Sequence, residues 1–164
     1  MQFDGQGPWE LAVEAFEVLH MSFGAHVVDV FAYGPEGITS QIRFEAPFEL
    51  HEPNGEKQTL DPDSWERLAA LFVLRYDTIR VARITKTSEL LVEFASGRML
   101  TSSASGPYEC WAMHAPDGVM VIGVSGEPTI YDGEPENRRS YRWDGSELNE
   151  VTQLERPTPP GPAT

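Results

Sequence analysis

The sequence predicts an α+β fold. It reads as a single domain over residues 1–156, a mostly antiparallel twisted β-sheet with two helices, about 8–20 and 62–74, packed on it. Three observations carry this expectation. Short apolar stretches alternate with polar residues between Gly- and Pro-containing turns. Two longer stretches repeat their apolar residues at helical spacing. A chain of 164 residues, 40% of them hydrophobic, can bury one core without crosslinks.

The elements follow in order. Residues 1–7 read as a frayed start, and Pro8 suits a first helical turn. Trp9, Val13, Phe16 and His20 fall at i, i+4, i+7 and i+11, with Glu10, Glu14 and Glu17 on the other side, which predicts an amphipathic helix. Residues 27–33 are β-branched and aromatic and predict a strand. After the turn at 34–37, residues 38–45 alternate, with Ile38, Ser40, Ile42 and Phe44 on one face. Pro47 ends or bulges that strand, and residues 48–50 resume pairing before the turn at 53–55.

Asp61 and Pro62 read as the N-cap and first residue of the second helix, whose stripe is Trp65, Leu68, Ala69 and Phe72. Residues 78–85 and 90–94 predict strands, followed by a hairpin with Ser96 and Gly97 at its tip. Residues 107–114 and 119–122 flank the turn at 116–118, and residues 140–143 fit a short edge strand. Four prolines in the last eight residues predict a disordered tail over 157–164.

The charge narrows the partners. Twenty-six acids against twelve bases give a formal net charge of −14. Nucleic acid and anionic membrane are excluded as direct partners, because both are bound through Lys and Arg. A basic protein is the natural complement, and plain solubility is the bland alternative. Cys110 is the single cysteine, so no intrachain disulfide forms; with no secretory leader in view, this predicts a cytoplasmic setting.

Residues of about 38–132 carry a set of spaced motifs. These are Pro47-Phe48, Pro53-Asn54-Gly55, Asp61-Pro62, then Leu90, Val92, Phe94 and Gly97, and finally Tyr108-Glu109-Cys110-Trp111 and Gly118. In these the chain resembles a family of small actinomycete proteins of unknown function with a Tyr-Glu-Ala-Trp strand. Cys110 stands where that family has Ala, Ser125-Gly126-Glu127 replaces Pro-Gly-Gly, and Tyr131 replaces a final Trp. The resemblance implies a fold more than an activity. It also implies a likeness to acidic immunity proteins that neutralise secreted toxins.

Catalytic signatures are missing from the sequence: it has no nucleophile elbow, phosphate-binding loop or dinucleotide fingerprint. His20, His26, His51 and His114 lack metal-ligand spacing, so neither a metal nor a cofactor is expected. Cys110 and His114 lie four residues apart on a strand, too far for a nucleophile–base pair, and Cys110 reads as a small buried hydrophobe. Glu109 and Trp111 share a strand face, either as core and satisfied carboxylate or as a recognition patch.

Bases are segregated along the chain: none precedes Arg43, and none occurs between Met99 and Asn137. The acids of these two segments could combine into one negative face. The candidate partner-binding residues are therefore Glu10, Glu14, Glu17, Glu109, Trp111, Asp117, Glu127 and Asp132. The leading expectation is a non-enzymatic binding protein, an immunity- or antitoxin-like inhibitor of a basic toxin domain. The alternative is a small-molecule-binding or enzymatic domain with a pocket between sheet and helices, lined by Tyr108, Trp111, Met113 and Met120. A third reading is a subunit that self-associates through an edge strand.

Overall fold

The computed structural model describes residues 8–105, 108–116, 118–125, 128–132, 139–143 and 148–151. Fourteen strands are present among them. The first six are β1 (Trp9–Leu11), β2 (Glu17–Gly24), β3 (Val27–Tyr33), β4 (Thr39–Phe44), β5 (Phe48–His51) and β6 (Lys57–Leu60). A ten-residue helical element follows, α1 (Trp65–Leu68) running into a 3-10 segment (Ala69–Leu74). Then come β7 (Ile79–Ile84), β8 (Leu90–Phe94), β9 (Met99–Ser102), β10 (Trp111–His114) and β11 (Met120–Gly123). The last three are β12 (Thr129–Asp132), β13 (Arg139–Trp143) and β14 (Leu148–Val151).

The architecture is mostly antiparallel β. Instead of the expected single sheet there are two. Sheet I has the order β1-β7-β8-β9-β5-β6. Sheet II has six strands in the order β12-β11-β10-β4-β3-β2, and β13 and β14 continue it beyond β12. Every strand pairing is antiparallel. The strand expected near 140–143 is therefore not an edge, since β13 pairs on both sides.

The chain passes between the sheets at corners. Between β4 and β5 it turns over Glu45–Pro47, and the N–H groups of Glu45 and Ala46 both donate to the Cys110 carbonyl. Phe44 and Phe48, on either side of this corner, stack with centroids 4.0 Å apart. The chain also crosses between β9 and β10, and another corner lies between β1 and β2. Ala15 donates to the Ile79 carbonyl and Ile79 to that of Phe16, so this stretch stays attached to the start of β7. One apolar cluster takes side chains from both sheets, including Trp9, Phe44, Leu71, Phe94, Trp111 and Val121.

The corner between β1 and β2 corrects the helix expected over residues 8–20. Trp9, Leu11 and Val13 are buried at strand spacing, and then Phe16 and Val18 are buried after a shift of one residue. Ala15 takes a positive φ of 66° at that shift. A strand interrupted by one extra residue puts apolar side chains at i, i+4 and i+7, the same positions a helix would use. Pairing with β7 and β3 decides in favour of the strand.

The second helix exists but starts later and faces differently. Asp61 caps a turn, its Oδ1 accepting from the Asp63 N–H at 2.9 Å, and Ser64 rather than Asp61 precedes the helix. The buried residues are Leu68, Leu71 and Leu74. Three residues per turn in the 3-10 segment align positions 68, 71 and 74 on one face. Trp65, Ala69 and Phe72, expected as the core stripe, are turned outward.

Candidate interaction surface

The outward-turned residues build the most distinctive surface among those described. Trp65 is 69% exposed, Phe72 57% and Tyr76 62%, and Val73 and Leu19 are also exposed. The helical element lies against β2, the terminal strand of sheet II, where Phe72 meets Phe23 with ring centroids 5.8 Å apart. Leu19, His20, Met21, Phe72 and Arg75 line a shallow hollow of about 200 Å³ between the two elements. The Arg75 guanidinium sits 4.8 Å over the Tyr76 ring, which gives the patch one cation.

Tertiary hydrogen bonds hold this surface in place. Tyr76 holds a φ of 69°, an uncommon conformation for a bulky side chain. It is held there because its N–H donates to the Val18 carbonyl at 2.7 Å and because Asp77 anchors the next turn. The Asp77 Oδ1 accepts from the N–H groups of Thr78 and Ser96, and its Oδ2 from the Ser96 hydroxyl. Three anchors thus present Tyr76 and Phe72 outward while Leu71 and Leu74 are buried beneath them. His26 joins the start of the helical element to the β2–β3 turn through Asp63, at 2.5 Å.

The sequence-derived candidates are dispersed by comparison. Glu10 is exposed on β1 and accepts from Arg83 Nε at 2.8 Å, which, as the larger effect, raises the Arg83 pKa above its ordinary value. Arg83 also approaches Glu93 at 3.5 Å, and Glu93 pairs with Arg80. Glu14 is exposed at the β1–β2 break, and Glu17 is half-buried where β2 bridges to Thr78. Glu109 is exposed, but Trp111 is fully buried and its Nε1 donates to the Ser88 carbonyl at 2.9 Å. Trp111 is therefore a core residue, not a contact for a partner. Asp132 lies in β12 opposite Arg139. Asp117 and Glu127 lie outside the described residues, as do the expected frayed start over 1–7 and the tail over 157–164.

The base-free segments do reach the same sheet, with β2 and β3 on one side of β4 and β10 to β12 on the other. Between them, however, β4 brings Arg43. Asp29 of β3 is 7% exposed and accepts from Arg43 Nε at 2.8 Å, from Arg43 Nη2 at 3.2 Å and from Gln41 Nε2 at 2.8 Å. The hydrogen bond that Arg43 donates to Asp29, together with the Asp29 charge, raises the Arg43 pKa against the opposing effect of burial.

The alternative pocket is not assembled. Trp111 and Met113 point into the core, Met120 is half-buried on the outer face of sheet II, and Tyr108 is 81% exposed. Cys110 is buried, as expected, although it precedes β10 rather than lying in the longer strand expected over residues 107–114. Among the described residues no three His, Cys, Asp or Glu side chains converge to hold a metal ion, and no helix is long and apolar enough to cross a membrane.

The sequence pattern of a family of unknown function, DUF6188, matches residues 9–128. The match takes in β1 to β11 and the helical element, including the region before residue 38 that the motif resemblance left out. No curated protein and no solved structure matches the chain.

Proposed function

The chain belongs to the DUF6188 family, whose function is unknown, so its role is read from its own surface, and we propose that it is a non-enzymatic protein-binding domain. The observation that carries this is the cluster of Trp65, Phe72, Val73 and Tyr76 turned to solvent beside a sheet edge. Large aromatic side chains held rigidly in solvent are the residue types that dominate binding energy at protein interfaces. Burying Phe72 alone would return on the order of 2 kcal/mol. The partner is a basic protein, because the chain carries a net charge of −14 and Asp61, Asp63 and Glu66 stand at the start of the helical element. An immunity-type inhibitor of a basic toxin domain fits this chemistry.

The test is binding by the product of the adjacent gene, measured by calorimetry with the purified full chain. A complex that Trp65→Ser and Phe72→Ser each weaken at least about tenfold is expected. Tyr108→Ser is the exposed-aromatic control; β10, which follows Tyr108, is separated from β2 by β4 and β3. A complex indifferent to both patch variants, or no binding by neighbouring products, would overturn the proposal.

A further inference from the structure

Sheet I ends on β6, and that edge is open. The β5–β6 hairpin sets which backbone groups face it. The Glu52 N–H donates to the Glu56 carbonyl at 2.8 Å, and the register then pairs His51 with Lys57, Leu50 with Gln58 and Phe48 with Leu60. Ladder bonds alternate along an antiparallel pair, so Gln58 and Leu60 bond to β5, while the N–H and C=O groups of Lys57 and Thr59 point away from the sheet. No described residue pairs with those groups. Lys57, Gln58 and Thr59 are all exposed, so no described element covers this edge.

A lysine on an open edge ordinarily blocks further pairing. Here its charge has a complement on the same strand face. Side chains alternate along a strand, so Lys57, Thr59 and Asp61 face one way, opposite to the buried Leu60. Set antiparallel to a second copy about a two-fold axis at Thr59, this run matches itself: Thr59 stands opposite Thr59, and each Lys57 opposite the Asp61 of the other copy. Thr–Thr pairs and opposite-charge pairs both stabilise antiparallel strands. An axis at Gln58 would set each Lys57 against Thr59, and an axis at Lys57 would set the two lysines against each other. The Lys57 ammonium reaches Glu49 of its own chain at 3.0 Å, but its side chain is 63% exposed and stays open to a second carboxylate. Asp61 is held at the strand end, its Oδ1 accepting from the Asp63 N–H. Two copies that each carry a net charge of −14 repel, so a contact between them has to set opposite charges against each other, as this register does.

We infer that β6 is a contact for a second copy of this chain, whose own β6 adds antiparallel and joins the two copies of sheet I into one continuous sheet. This surface is separate from the aromatic patch, and its test reads mass rather than partner binding. The full chain is followed by analytical ultracentrifugation between about 1 µM and 1 mM, the span of weak affinities. Conversion from one chain mass to two is expected. Thr59→Pro abolishes it, because proline removes an outward N–H that the single chain does not use. Lys57→Glu weakens it at least about tenfold by setting a carboxylate opposite Asp61, and Lys57→Glu combined with Asp61→Lys restores it to within about threefold. Lys57 is exposed, so Lys57→Glu reads the contact even where Thr59→Pro disturbs the strand. Phe72→Ser, which tests the aromatic patch, does not dissociate the pair. Three results would overturn the inference: a single chain mass throughout, a dimer indifferent to Lys57→Glu, or a dimer lost in Phe72→Ser.

Discussion

Trp111 shows how closely a single side chain can be constrained. It stands opposite Gly123 in the β10–β11 pairing, and a Cβ on Gly123 would fall 2.1 Å from the indole ring. Gly123 is therefore required by close approach. Gly123→Ala is expected to destabilise the fold by roughly 1–3 kcal/mol through overpacking, and Trp111→Ala by about 3–5 kcal/mol. Urea denaturation followed by circular dichroism measures both, and a Gly123→Ala midpoint equal to that of the parent would refute the close-packing account. Asp29 is the polar counterpart. Asp29→Ala removes three hydrogen bonds and leaves Arg43 without its partner, for a loss of about 1–3 kcal/mol. The Arg43 pKa is raised in the folded protein, so the stability it contributes is complete below the ordinary guanidinium range and is lost only as pH rises through the folded value. The pair therefore gives no pH dependence from this group near neutrality, and Asp29→Ala lowers stability equally at pH 6 and pH 9.

The helical element divides into two functional faces. Leu71→Ala is expected to cost about 2–5 kcal/mol, because it opens a cavity in the core. Phe72→Ser and Trp65→Ser, one residue away and six residues away from it, are expected to change stability by less than about 1 kcal/mol, since both side chains are largely solvated already. Thermal unfolding of the three variants separates the faces, and a Phe72→Ser loss as large as that of Leu71→Ala would mean the patch is structural. Tyr76→Gly sharpens the distinction. Glycine relieves the positive φ, so stability is held or rises by up to about 1 kcal/mol, while the partner loses an aromatic contact. An element kept less stable than it could be is consistent with selection for its exposed surface.

At the scale of the whole molecule, the topology is non-local. β1 pairs with β7, so Trp9 stands opposite Ile84, and β10 pairs with β4, so Trp111 stands opposite Phe44. Closing such pairings early costs loop entropy, which predicts folding in milliseconds to seconds rather than microseconds. Stopped-flow fluorescence of the four tryptophans tests this. The net charge of −14 also acts at this scale. Association with a basic partner is expected to slow as salt rises from about 0.05 to 0.5 M, while dissociation changes little. Surface plasmon resonance across that range would contradict steering if the association rate stayed flat.

Strands whose alternation is uninterrupted can be read directly from the chain. β4 buries Ser40, Ile42 and Phe44, and β8 buries Leu90, Val92 and Phe94, because period-two patterning encodes a half-buried strand directly. The sequence also places Cys110 in the interior and the helical element near residues 62–74. Tertiary structure decided what local patterns leave degenerate. The stretch from Trp9 to Val18 satisfies helical spacing only because a one-residue shift interrupts a strand, and partners from β7 and β3 settle that choice. Leu68, Leu71 and Leu74 against Trp65, Ala69 and Phe72 is a second such choice, since each set forms a stripe and only the tighter 3-10 winding selects the leucines. Helical spacing assigns Trp65 and Phe72 to the core, so the candidate surface is not legible in the sequence. The segregated acids were legible as a list, but antiparallel pairing placed Arg83 beside Glu10 and Arg43 beside Asp29. Charge neighbours across a sheet are set by register, and register is a property of the folded chain.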